Sequence, residues 1–203
     1  DRQLSGRLPD LRRPRRAGRA LGRCAPRAAD LARSGLLRRE IALLFAAAGF
    51  GLALDDHPQR HQIEDGVAQR VATTMLGVFR TLFASKFRIE KMTPVDAYGA
   101  DDDRSMADNN TSAFNCRKVT GGTSWSQHSY GNAIDINPIQ NPYVKGTTVL
   151  PPAGSGFRNR EGAQPGVISK VGPVVKAFDS IHWGWGGRWT SYQDYQHFSE
   201  NGR

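Results

Sequence analysis

The chain has 203 residues, of which 38% are hydrophobic and 23% charged, a composition that suits a soluble globular domain with a real core. Twenty-two Gly and eleven Pro favour a loop-rich α+β fold over a helical bundle. The net charge of +9 is concentrated at one end: residues 1–40 hold twelve Arg against four acids, a balance of +8, which leaves +1 for the other 163 residues. Nucleic-acid or anionic-lipid binding through charge is therefore an expectation for the leader alone, not for the folded domain. The Arg run contains no Lys and no aromatic residue and reads as a disordered or non-native leader.

In chain order, residues 36–54 pass from a basic stretch into an apolar run that ends near the small residues Gly51 and Ala53. This pattern fits a signal-like segment or a buried helix, and it is too short to span a bilayer. Residues 1–55 are thus read as leader, 56–65 as linker and 66–203 as the domain. His57 and His61 are four apart, but Pro58 and the lack of a third ligand nearby make them exposed histidines rather than a metal pair. Residues 67–83 are a predicted helix, because Val67, Val71, Met75, Val78, Phe79 and Leu82 recur at three- and four-residue steps. Residues 87–98 read as a strand broken near Pro94, and Asp101, Asp102 and Asp103 open a polar loop. The two cysteines are Cys24 and Cys116; Cys116 is expected to be a small buried hydrophobe, with no disulfide framework and no CxxC metal site.

The chemistry concentrates in two segments. In the first, Ala133, Asp135 and Asn137 alternate with Ile134 and Ile136, which predicts a strand with one apolar face and Asp135 on the other. His128 lies seven residues earlier, so a turn must bring the two together, and Gly131 is the natural place for it. The second segment is Asp194–Tyr–Gln–His197, whose i, i+3 spacing suits one side of a helical turn. A catalytic zinc site needs three protein ligands and an open position. His128, Asp135 and His197 are the candidate ligands, and Asp194 is the candidate general base and acid. No HExxH, GxSxG or P-loop is present.

The joined pattern SxHxxGxAxD (126–135) and DxxH (194–197) resembles the zinc D-alanyl-D-alanine carboxypeptidase family. That group includes VanY-type and VanX-type peptidases and phage L-alanyl-D-glutamate endopeptidases. The flanks at 95–99, 109–117, 137–143 and 183–189 extend the likeness across about residues 65–200. The resemblance implies a compact α+β fold with a small antiparallel sheet flanked by helices, shared with Hedgehog signalling domains. It also implies one zinc ion per chain and hydrolysis of peptidoglycan stem peptides. On this pattern Ser126 falls near the substrate or the metal, and Arg117 is a candidate for the oxyanion or the substrate carboxylate. Trp183, Trp185 and Trp189 are either aromatic lining for the substrate or core wedges. Related chains carry Gly-Trp where this one has His182-Trp183, which puts His182 at the rim.

Two further readings stay open: an L-alanyl-D-glutamate endopeptidase, and a zinc-stabilised cell-wall binding module without catalysis. Retention of Asp194 favours an enzyme, since a structural site needs no base. The expected enzyme is bacterial, monomeric, without a membrane span and exported to the periplasm or cell wall, where its substrate lies.

Overall fold

The computed structural model describes residues 69–203 except 161 and 163. The Arg-rich leader, the apolar run at 41–54, the linker and both His57 and His61 lie outside the described residues. The fold class is α+β, as the composition suggested: three α-helices and eight short strands, among the described residues, joined by four 3-10 turns.

Helix α1 (Gln69–Ala84) forms where the helical periodicity places it. It buries Val71, Met75, Leu76, Val78, Phe79 and Leu82 along one stripe. That stripe packs on the later helix α3 (Pro173–Asp179). In α3 Pro173 occupies the first turn and Val174, Val175, Ala177 and Phe178 are buried.

The expected strand at 87–98 is mostly irregular. Only Lys91–Met92 (β1) is strand, and Val95–Tyr98 is a 3-10 turn that begins after Pro94. Proline has no N–H to give to a ladder and fixes its own φ, so the chain turns there. The expected loop at 101–103 is instead the start of helix α2 (Asp102–Ala107). Asp101 is its N-cap: its side chain accepts a hydrogen bond from Arg104 N at 3.1 Å, and Asp102 and Asp103 sit in the first turn, where negative charge is favourable.

The strands fall into three sheets rather than one. β1 pairs in parallel with β2 (Asn110–Thr111). β3 (Ala133–Asp135) and β6 (Gly184–Trp185) both pair antiparallel with β8 (His197–Ser199). β4 (Tyr143–Lys145) lies between β5 (Thr148–Leu150) and β7 (Gln193–Asp194), both antiparallel to it.

The registers explain where the site falls. Ile134 stands opposite Phe198, and Phe198 stands opposite Trp185. These three side chains point into the core, where Phe198 stacks on Phe178 with ring centroids 4.0 Å apart. One residue along, Asp135 stands opposite His197 and faces the other way. The same alternation that fills the core therefore delivers an acid and an imidazole, paired, to the opposite face.

Buried asparagines fix the loops around this frame. Asn137, at φ 46°, donates to Arg88 O and Gly166 O and accepts from Glu90 N. Asn141 donates to backbone carbonyls and accepts from Ile168 N and Arg160. Each side-chain amide satisfies backbone groups that no ladder reaches, which lets irregular chain be buried without unmet polar groups.

Candidate metal centre and cleft

His128 sits in the 3-10 turn Gln127–Tyr130. Ser126 is the N-cap and accepts from His128 N at 3.3 Å; Gly131 ends the turn at φ 67°, the left-handed conformation its position required. Ser129 ties the turn to the preceding chain, accepting from Arg117 N at 3.0 Å and lying 2.8 Å from Arg117 O. Asp135 is pinned on both sides, by β8 and by a two-bond bridge to Ser112.

These supports bring three side chains to one point. His128 Nε2 lies 3.1 Å from Asp135 Oδ2 and 3.2 Å from His197 Nδ1, and His197 Nδ1 lies 3.0 Å from Asp135 Oδ1. All three are buried. The outward ring nitrogens are already committed: His128 Nδ1 is 2.5 Å from Ala113 O and His197 Nε2 is 3.4 Å from Arg203 O. A carbonyl only accepts, so each of those nitrogens carries the ring proton and each inward nitrogen presents a lone pair. Two such nitrogens and a carboxylate aimed at one point could hold a metal ion. Tetrahedral ligands at ~2.0–2.1 Å from a zinc ion stand about 3.3 Å apart. The observed separations fit a small divalent ion of that type.

Asp194 and His197 do not share a helical turn, contrary to the spacing-based expectation. Asp194 ends β7 and His197 begins β8, with Tyr195 and Gln196 as the link. Their meeting is made by Gly186 beneath them. A Cβ on Gly186 would lie 2.6 Å from Asp194 O, 2.9 Å from Asp194 Cβ and 3.3 Å from His197 Cβ, so only glycine fits. Asp194 Oδ1 is shielded from solvent and has no hydrogen-bond partner.

The electrostatics separate the two acids. Burial alone would raise the Asp135 carboxyl, but the imidazoles of His128 and His197 reverse this and hold it well below the usual carboxylate range. For Asp194 burial, then the charge of Asp135, outweigh the opposing effects of His197, Arg117 and a hydrogen bond with Gln196, and push it up to about 7. Burial opposes charge on His197 as well, yet Asp135 and Asp194 lift it above its ordinary value.

Arg117 is held against Asp102, Nε to Oδ2 at 3.0 Å, while its terminal nitrogen reaches Asp135 Oδ2 at 3.6 Å. Asp102 in turn accepts from Asn115 Nδ2 at 3.0 Å. The guanidinium therefore lies beside the ligand cluster, braced by an acid that the sequence presented only as part of a polar run. Burial, and then the charge of Asp135, raise Asp102 against the opposing effect of Arg117.

A cleft of about 490 Å³ opens over the cluster, walled by Ser126, Arg117, Asp194 and the β4–β5 hairpin. Its aromatic lining is Trp125, Tyr143, Trp189 and Tyr192. Trp183 and Trp185 are not part of it, which corrects their expected substrate role. Both are buried in the core, and Trp185 Nε1 donates to Tyr195 O at 2.9 Å. They face inward because Trp185 shares the Phe198 row, whereas Trp189 follows the Gly186–Arg188 turn and emerges beside His197, ring centroids 5.5 Å apart. His182 is likewise removed from the rim. It is exposed just past α3, at φ 62°, and does not line the cleft. Cys116 is half-buried rather than the small buried hydrophobe expected; it lies where the chain leaves the sheets for the exposed 118–125 loop. The residues that sequence reasoning passed over are Asp102, Ser129, Tyr143 and Gly186. Ser129, Tyr143 and Gly186 lay within the motif and flanks at 126–135, 137–143 and 183–189, and Asp102 within the acidic run, but nothing in the sequence marked their individual roles.

The site is thus a buried His/Asp/His cluster able to hold a metal ion, with an acid beside it and an open cleft above, in an α+β domain. Residues 120–200 match the family model described as D-alanyl-D-alanine carboxypeptidase, which bears out the resemblance drawn from the motifs over that stretch. All three cluster residues and Asp194 fall within that stretch. No curated protein and no solved structure matches the chain. Among the described residues no helix is long and apolar enough to cross a membrane.

Proposed function

We propose that this protein is a zinc metallopeptidase that hydrolyses D-amino-acid-containing peptide bonds of peptidoglycan stem peptides, with the C-terminal D-alanyl-D-alanine bond as the preferred target. The observation that carries the reading is the convergence of two imidazole lone pairs and one carboxylate beside Asp194, the acid held near neutrality. His128, Asp135 and His197 would hold one zinc ion, which supplies Lewis-acid polarisation of a carbonyl and acidification of water.

The remaining work falls to the chain. Asp194 Oδ1, dry and without a partner, takes a proton from water and gives one to the leaving amine. Without a metal the Asp194 carboxyl sits near 7; zinc bound beside it would favour the carboxylate, the form that accepts the proton. Arg117 faces the same side of the cluster and supports negative charge that develops on the scissile carbonyl oxygen. Ser126 lies on the cleft wall, where its main task is to set the His128 turn. The domain proper spans residues 66–203, and its place of work is outside the cytoplasm, where stem peptides are found.

Metal analysis and hydrolysis on three proteins test the reading. The wild-type chain should bind one zinc and cleave. Asp194→Asn should keep the metal and lose cleavage by about 10²–10⁴-fold. His128→Ala should lose the metal. An Asp194→Asn protein with full turnover would remove the base assignment.

A further inference from the structure

The wall of the cleft formed by β4 contains a second recognition element. Tyr143 stands directly opposite Asp194 in the β4–β7 ladder. Lys145 is two residues further along the same strand and so faces the same side, displaced by about 7 Å. Its ammonium lies 5.9 Å from the centroid of the Tyr192 ring. Tyr192 in turn contacts Tyr143 at 5.3 Å and Trp189 at 5.2 Å, and Trp189 contacts His197. An aromatic ladder thus runs unbroken from the ligand His197 to Lys145.

The charges along this path are unevenly placed. The cleft's three acids, Asp102, Asp135 and Asp194, all belong to the inner cluster around the histidines. Arg117 lies among them, at the inner end. Lys145 is exposed on the outer wall and makes no ion pair among the described residues. It is a cation on a flexible stem, resting on an aromatic face, about two residue lengths from the proposed base.

We infer that Lys145, on the Tyr143–Tyr192 platform, is a specificity-determining residue that binds a carboxylate of the peptide substrate lying within about two residues of the scissile bond. This rests on the peptidase reading for the identity of the peptide, but not for the anion site itself. Two sources offer that carboxylate, the C-terminus of the peptide and the α-carboxylate of a γ-linked D-glutamate. The first makes the enzyme a carboxypeptidase; the second permits internal cleavage.

The test uses the full chain and the pentapeptide L-Ala–γ-D-Glu–L-Lys–D-Ala–D-Ala in three forms: the free acid, the C-terminal amide, and the form with the D-glutamate α-carboxylate amidated. Binding to metal-free protein is read by tryptophan fluorescence, and hydrolysis by zinc-loaded protein is read alongside it. Lys145→Met, which keeps an apolar stem, should weaken binding of the free acid about tenfold and raise KM with kcat retained. Lys145→Arg should restore most of the loss. If C-terminal amidation removes the Lys145 dependence, the terminal carboxylate is the ligand; if only the glutamate amide removes it, the internal carboxylate is. Both outcomes support the inference, whereas equal effects on all three peptides, or no effect, overturn it. Lys145-dependent binding without any hydrolysis would retain the anion site and reject the peptidase reading. Hydrolysis indifferent to Lys145 would do the reverse.

Discussion

Asp135 and Asp194 lie in the same pocket, yet their environments push them in opposite directions. Asp135 has two imidazoles to stabilise its charge; Asp194 has a buried oxygen with no donor and a like charge nearby. Because the Asp194 carboxyl is raised in the folded state, its contribution to stability is greatest at low pH. That contribution is lost as pH climbs from the ordinary carboxylate range through about 7. Metal-free protein should therefore show a stability component that declines across this window, and Asp194→Asn should flatten it. Zinc should draw the Asp194 pKa downward, because a nearby cation favours the carboxylate. Carboxyl NMR titration with and without zinc reads both effects; an Asp194 that titrates near 4 in the metal-free protein contradicts them.

The elements that carry the site were unequally legible. The β3 strand and its turn could be read because Ile134 and Ile136 alternate with Asp135 and because Gly131 had to reverse the chain. The Asp194–His197 pair could be recognised but not placed. An i, i+3 spacing fits one turn of helix and equally fits the end of one strand and the start of the next. What decides is Gly186, on another segment, whose missing side chain makes room for the link. Asp101–Asp103 looked like solvated loop because their charge hides a capping role; Asp102 acquires its meaning only from its ion pair with Arg117. The tryptophans share one composition-level signal but differ in outcome, since Trp185 continues a core row and Trp189 follows a turn. Gly186→Ala is the test at this scale. It should separate Asp194 from the histidines, with a loss of hydrolysis comparable to that of Asp194→Asn and weaker zinc binding. Unchanged kinetics would show that the link tolerates a methyl group and that its geometry is not critical.

For the molecule as a whole, the ligand cluster is also a structural joint. Asp135 comes from the middle of the domain and His197 from its end, and the β3–β8–β6 sheet carries the core on its other face. A cation bound there cross-links segments far apart in sequence and binds the folded chain in preference to the unfolded one. Chelation should accordingly lower the Tm by several degrees, and zinc should restore it. In His128→Ala the Tm should be low already and insensitive to chelator. A Tm that ignores chelation in the wild-type protein would mean that the joint holds without a metal.

The most direct measurement is mass-detected hydrolysis of a muropeptide panel by the purified chain, with zinc content determined on the same sample. One zinc per chain and release of a terminal D-alanine, abolished by Asp194→Asn, is the predicted result. One zinc with every panel member left intact would contradict a peptidase and favour a zinc-stabilised cell-wall binding module.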